Sequence, residues 1–154
     1  GYTIEGHGDP EGNLFHRLYP FEAVKSMVKE CDFVVMLLPL TAQTRGSFGE
    51  EEIHAMKPGS YLVVASRGGI VDEAALQQAL MDKHLAGAAL DVFNREPLPA
   101  DSPVWKMPNT LLTPHISGFS PMYKERTGIM FAENLRRYLH GEPLLNKVDT
   151  ERSY

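Results

Sequence analysis

The stretch SYLVVASRGGIVDEAALQQALMDKH, Ser60 to His84, changes its period halfway along. Ser60 to Ala65 is a nearly continuous apolar run, the pattern of a buried strand. The turn SRGG follows. Beyond it Ala75, Leu76, Ala79 and Leu80 recur at helical spacing behind Asp72, which has the chemistry of an N-cap. A strand, a glycine turn and an amphipathic helix make one βα unit.

The same alternation continues in both directions. Upstream, FVVMLL (Phe33–Leu38) is apolar throughout, as a strand covered on both faces would be. Before it, Phe21, Val24, Met27 and Val28 share a helical stripe, and YTIE (Tyr2–Glu5) reads as the end of a further strand. EEIHAM forms a short helix that KPG stops. Downstream, GAAL and NTLLT are two more short strands, and a long helix runs from Pro121 to a closing Gly141. Strand–helix alternation predicts an α/β fold, a parallel sheet with helices on both faces.

Composition narrows the function classes. The 154 residues suffice for one domain, and 43% of them are hydrophobic, enough for a real core. A net charge of −5, with the 15 Lys and Arg scattered apart from Arg136-Arg137, argues against nucleic acid or an anionic membrane as partner. The longest apolar run, Phe33 to Leu40, is too short to span a bilayer and contains a proline. Cys31 is the only cysteine, which excludes an internal disulfide and a cysteine-built zinc site. It is read as a small core or helix-end residue. No metal site is expected, no signal peptide pattern opens the chain, and a cytoplasmic location fits this cysteine usage.

Ligands of such sheets sit at the carboxyl ends of the strands. The segments after the strands are PLTAQT, SRGG, DVFNREPLP and PHISG, so Arg67, Asp91, Glu96 and His115 converge on one rim. An arginine fork matches a carboxylate. A His–Glu pair is an acid/base device. An aspartate at a strand end can accept from an amide. Together they suit reduction of a 2-oxo acid. Singly, each has a plainer reading: Arg67 as a surface ion-pair partner, Asp91 as an Asx-turn former, Glu96 as a solvated loop charge and His115 as a structural loop residue.

VVASRGGIVDEAAL, GAALDVFNREPLP and LLTPHISG resemble the three signature segments of the D-isomer-specific 2-hydroxyacid dehydrogenases. LPLTAQTRGSF, MKPGSYLV and FAENLRRYLHGEPLLNKVD fit as well, so the likeness covers nearly everything from Phe21 onward. Its flavour is that of glyoxylate/hydroxypyruvate reductases. The resemblance implies a Rossmann-type domain and the cofactor NAD, with NADP not excluded. Arg67 would bind the substrate carboxylate and polarise its carbonyl. His115 would be the acid in reduction and the base in oxidation, with Glu96 bonded to it. Asp91 would hold the nicotinamide carboxamide, and Pro39, Leu40, Ala65 and Gly118 would lie along the cofactor. Val64 departs from the family's usual asparagine, and Glu96 speaks against the formate dehydrogenase branch, which has an amide there.

The glycine fingerprint G-x-G-x-x-G is absent; GHGDPEG does not sit between a strand and a helix. The resemblance therefore implies the C-terminal part of a longer enzyme without a regulatory domain after it. Residues 1–120 would be a partial dinucleotide-binding domain, and residues 121–154 a helix and tail returning to a substrate domain. With the central first strand gone from the usual order 3-2-1-4-5-6, a complete doubly wound sheet is not expected. The region EGHGDPEGN, with Glu5, Asp9 and Glu11 and no Lys or Arg before Arg17, favours NAD, Asp9 being the candidate for the ribose; Asp9-Pro10 can equally be a plain turn. The family implies a homodimer. Two other classes compete with the enzyme: a nucleotide-dependent, non-enzymatic binding protein of the corepressor type, and an assembly fragment with exposed apolar faces.

Overall fold

The structure, a computed structural model, describes residue 9 and residues 11–151. The strand expected at Tyr2–Glu5 lies outside the described residues. The chain divides into two compact units, Tyr19–Ser117 and a second made of Gly1–Leu18 with Gly118–Tyr154.

In the first unit the apolar runs become four strands: β1 (Phe33–Met36), β2 (Tyr61–Val64), β3 (Gly87–Leu90) and β4 (Thr110–Leu112). All pair in parallel, in the order β1-β2-β3-β4. The fold is α/β, a Rossmann-type parallel sheet present in part. Three helices accompany it: α1 (Val24–Val28), entered through a 3-10 turn at Phe21–Ala23, then α2 (Glu50–Ala55) and α3 (Glu73–Met81). Local chemistry sets their starts. Glu52 reaches back to accept from the Gly49 N–H at the head of α2 (3.1 Å). Asp72 caps α3 by accepting from the amides of Ala74 (2.9 Å) and Ala75 (3.1 Å). Cys31 ends the α1 segment, its Sγ 3.3 Å from the Met27 carbonyl.

One expectation is corrected. FVVMLL is not covered on both faces: Val34 and Met36 are buried, whereas Phe33 and Val35 are 67% and 56% exposed. Val28, Ile53, Leu76, Ala79 and Leu80 from the three helices join Val34, Met36, Leu62, Val64, Ala88 and Leu90 in one core. The reason is topological. Right-handed crossovers between strands laid down in sequential order all pass over the same face. A second face is covered only where the order reverses, and the described strands contain no reversal. The connection from β3 to β4 carries a 3-10 turn at Pro103–Lys106 rather than an α-helix.

The second unit contains α4 (Tyr123–Leu139), followed by Gly141 at φ 69°, where a left-handed residue stops the helix. Its C-terminal turns are tied by Glu133 with Arg136 (3.0 Å) and Arg137 (2.8 Å), and by Arg136 with Glu142 (2.7 Å). Asn134 bonds both backbone groups of Leu145, fixing the chain that follows.

Candidate active site at the carboxyl rim

Register places the rim. Met36 stands opposite Val64, Val64 opposite Leu90, and Leu90 opposite Leu112. The ladder runs one residue further, through Ala65 N–H to Met36, Asp91 N–H to Val64 and Thr113 N–H to Leu90. Ala65, Asp91 and Thr113 are therefore the first residues past three adjacent strands.

Glu96 and His115 meet here. His115 Nδ1 lies 2.7 Å from Glu96 Oε2, while Oε1 accepts from the Phe93 N–H at 2.9 Å. An ionised carboxylate only accepts, so Nδ1 carries the proton and Nε2 is left for chemistry. The bond from His115, joined by that from Phe93, holds the Glu96 carboxyl below the usual carboxylate range against the opposing effect of burial. The side chains remain 42% (His115) and 34% (Glu96) exposed, so the pair can be reached. A cavity of about 770 Å³ borders it, lined chiefly by Phe93, Pro97, Leu98, Trp105, Leu112 and Pro114. Trp105 donates its indole N–H to the Pro99 carbonyl (2.8 Å), which fixes that wall.

Asp91 is buried beneath the loop that carries His115. Its Oδ1 accepts from the Thr113 hydroxyl and the Ile116 N–H (2.9 Å), and its Oδ2 from the Ser117 N–H (2.8 Å). Burial alone would raise this carboxyl. The bonds from Ser117, Thr113 and the two amides outweigh it and hold the group far below the usual range.

Arg67 makes no hydrogen bond or ion pair with His115 or Glu96. Its guanidinium donates to the Ser66 carbonyl (2.7 Å), and it lines a small separate cavity with Gly68, Gly69, Glu73 and Asn94. That turn is tied to the loop after β3, with Gly69 N–H on Asn94 Oδ1 (2.7 Å) and Asn94 N–H on Glu73 (2.6 Å). Pro39 and Leu40 follow β1; the Pro39 carbonyl takes the Thr44 hydroxyl (2.6 Å), and Leu40 packs against the core. Gly118 belongs to the second unit and has open space where a Cβ would stand. Asp9 uses both carboxylate oxygens locally, accepting from the amides of Asn13 and Leu14 at 3.0 Å each. Sequence reasoning passed over Thr113, Phe93, Trp105 and Ser117. For Thr113 a signal existed, a hydroxyl at the strand end directly before Pro114-His115. Among the described residues no cluster of three His, Cys, Asp or Glu could hold a metal, and no helix is long and apolar enough to cross a membrane.

A histidine backed by a carboxylate, at the carboxyl rim of a parallel α/β sheet, defines a class of acid/base site. Residues 6–117 match the D-isomer specific 2-hydroxyacid dehydrogenase, NAD binding domain, and the chain belongs to that family. It is 41% identical over 128 residues to a glyoxylate reductase of Korarchaeum cryptofilum, covering 83% of this chain and 39% of that protein. Among solved structures it resembles a D-isomer specific 2-hydroxyacid dehydrogenase from Xanthobacter autotrophicus Py2 in complex with NADPH and MES. The TM-score is 0.79 at 42% identity, over 86% of this chain and 54% of that one. It also resembles an NADPH-dependent glyoxylate/hydroxypyruvate reductase from Sinorhizobium meliloti in complex with NADP and sulfate. There the TM-score is 0.81 at 33% identity, over 88% and 44%. The chain thus spans about half or less of the relatives it matches.

Proposed function

We propose that the full polypeptide carrying this chain reduces a small 2-oxo acid to its 2-hydroxy acid, or runs the reverse, with a nicotinamide cofactor. The observation that supports this most directly is the 2.7 Å His115–Glu96 contact at the rim. When bound, NAD(P)H supplies the hydride. His115 Nε2 donates the proton to the substrate oxygen in reduction and takes it back in oxidation, while Glu96 fixes the tautomer and steadies the protonated ring. Arg67, swung off the Ser66 carbonyl, clamps the substrate carboxylate and polarises the carbonyl. Asp91 fits a cofactor amide. A cofactor amide would share that carboxylate with Thr113, Ile116 and Ser117. Pro39, Leu40 and Ala65 would flank the same ligand.

In this reading residues 1–120 belong to the dinucleotide-binding domain, residues 121–154 return to a substrate domain, and the enzyme works as a homodimer in the cytoplasm. The glyoxylate/hydroxypyruvate reductase group is the best-supported branch. The test is turnover of the full polypeptide with glyoxylate, hydroxypyruvate and pyruvate, under NADH and NADPH. We expect reduction of at least one acid, and a loss on the order of 10²-fold or more in His115→Ala. Tight nucleotide binding with no turnover on any 2-oxo acid would refute the proposal.

A further inference from the structure

We infer that Asp91 is a positioning residue for His115, acting by clamping the loop that carries it. His115 sits at φ 57°, in the left-handed region that a residue with a Cβ enters only at a cost. Such backbones persist where their surroundings over-determine them. The flanking residues do this: Thr113 on one side, Ile116 and Ser117 on the other, all bonded to the one Asp91 carboxylate. Asp91 is itself fixed, because it is the first residue past β3 and its N–H is held by the Val64 carbonyl. The carboxylate spans both sides of the kink, so the His115 backbone cannot shift away from Glu96 without breaking these bonds. A cofactor contact to the same carboxylate is compatible with this role but is not what holds the loop.

The inference rests on the proposed function only for its kinetic arm; its structural arm is independent. The structural arm measures amide hydrogen exchange at Ile116 and Ser117, and the Nδ1–H resonance of His115, by NMR in the parent, Asp91→Ala, Asp91→Asn and Thr113→Val. Asp91→Ala should lose the protection of both amides and the Nδ1–H signal. Asp91→Asn keeps one acceptor oxygen and should retain part of each. Thr113→Val removes one bond and should show the smallest loss, which keeps the test open if Asp91→Ala does not fold. The kinetic arm measures kcat, KM and NADH affinity in the full polypeptide. A misplacement of about 1 Å costs on the order of 10²-fold in rate. We therefore expect kcat for 2-oxo acid reduction to fall by about that factor in Asp91→Ala, whatever NADH affinity also loses with a cofactor contact, and to fall by a smaller factor in Thr113→Val with NADH affinity changed less than about threefold. Full amide protection and an intact Nδ1–H in Asp91→Ala would overturn the inference. So would a defect confined to NADH affinity. A parent without turnover would instead count against the proposed function, leaving the exchange result to decide on Asp91.

Discussion

The substitution Gly68→Ala tests how the two loops of the rim are assembled. A Cβ built on Gly68 would lie 1.8 Å from the Phe93 carbonyl oxygen, 2.3 Å from its carbon and 2.9 Å from the Asn94 nitrogen. These are backbone atoms, so no side-chain rotation relieves the clash. Reaching even 3.0 Å from the oxygen requires the chain to move by about 1.2 Å. The segment that must move carries the Phe93 N–H that bonds Glu96, and the Asn94 side chain that bonds Gly69. Overpacking of this kind costs about 1–3 kcal/mol, and loss of a charge-assisted bond adds about 1.5–3 kcal/mol. In a domain of this size each kcal/mol shifts Tm by about 2–8 °C. Gly68→Ala should therefore lower Tm by roughly 5 °C or more, and reduce kcat in the full polypeptide by on the order of 10²-fold through displacement of Glu96. Gly128→Ala is the control. Gly128 lies inside α4 with nothing within 4 Å of an added methyl, so alanine there should stabilise by about 0.5–1 kcal/mol. Differential scanning calorimetry and steady-state kinetics read both. A Gly68→Ala protein that melts within about 2 °C of the parent, with parental kcat, would refute the claim that the turn after β2 is seated on the loop after β3.

Glu96→Gln should lower kcat at least about tenfold in the full polypeptide, because the amide steadies a protonated His115 less well. The Glu96 carboxyl is held below its ordinary value, so its stabilising bond is fully present above about pH 4.3 and is lost as pH falls through the folded value. The partly exposed pair contributes no more than about 1 kcal/mol. The Tm difference between parent and Glu96→Gln should thus be a few degrees at pH 7 and close as the solution is acidified; a gap that widened in acid would contradict the sign. Asp9→Ala should leave the ratio of kcat/KM for NADH and NADPH within about threefold if its carboxylate serves only the turn to Asn13 and Leu14, and should erode an NADH preference if it also meets the ribose. The 154 residues assayed alone should show negligible NADH oxidation, since they contain no G-x-G-x-x-G to present backbone donors to a pyrophosphate. Steady turnover by them would show that another element binds the nucleotide.

The features the sequence made legible are those whose cause is local. The β2 run and Asp72 announce a strand and a capped helix because apolar periodicity and N-cap chemistry act within a few residues. The meeting of Glu96 with His115 was legible one step further out. Residues that follow adjacent parallel strands must emerge at the same rim, and a ring N–H facing a carboxylate completes the contact. Single-sided burial of β1 was not legible, because a run with no polar residue carries no period from which to read a solvent face. That depends on which way the crossovers turn, a property of strand order rather than of FVVMLL. The engagement of Asp91 was hidden for a different reason. Its partners are two amides and a hydroxyl made convergent only by the left-handed turn at His115, and a backbone angle leaves no mark in a histidine's identity. Arg67 shows the converse. Its position after β2 was plain from the pattern, yet a long guanidinium stem has several destinations, and in this structure it closes on the neighbouring Ser66 carbonyl. The rim therefore has a rigid half and an adjustable half. Asp91, Glu96 and His115 are interlocked through backbone and carboxylate, whereas the Arg67 guanidinium is held by a single hydrogen bond to the Ser66 carbonyl. Under the proposed function a substrate carboxylate arriving at the rim would meet the guanidinium donors not engaged with Ser66, so the arginine is the component expected to move on binding.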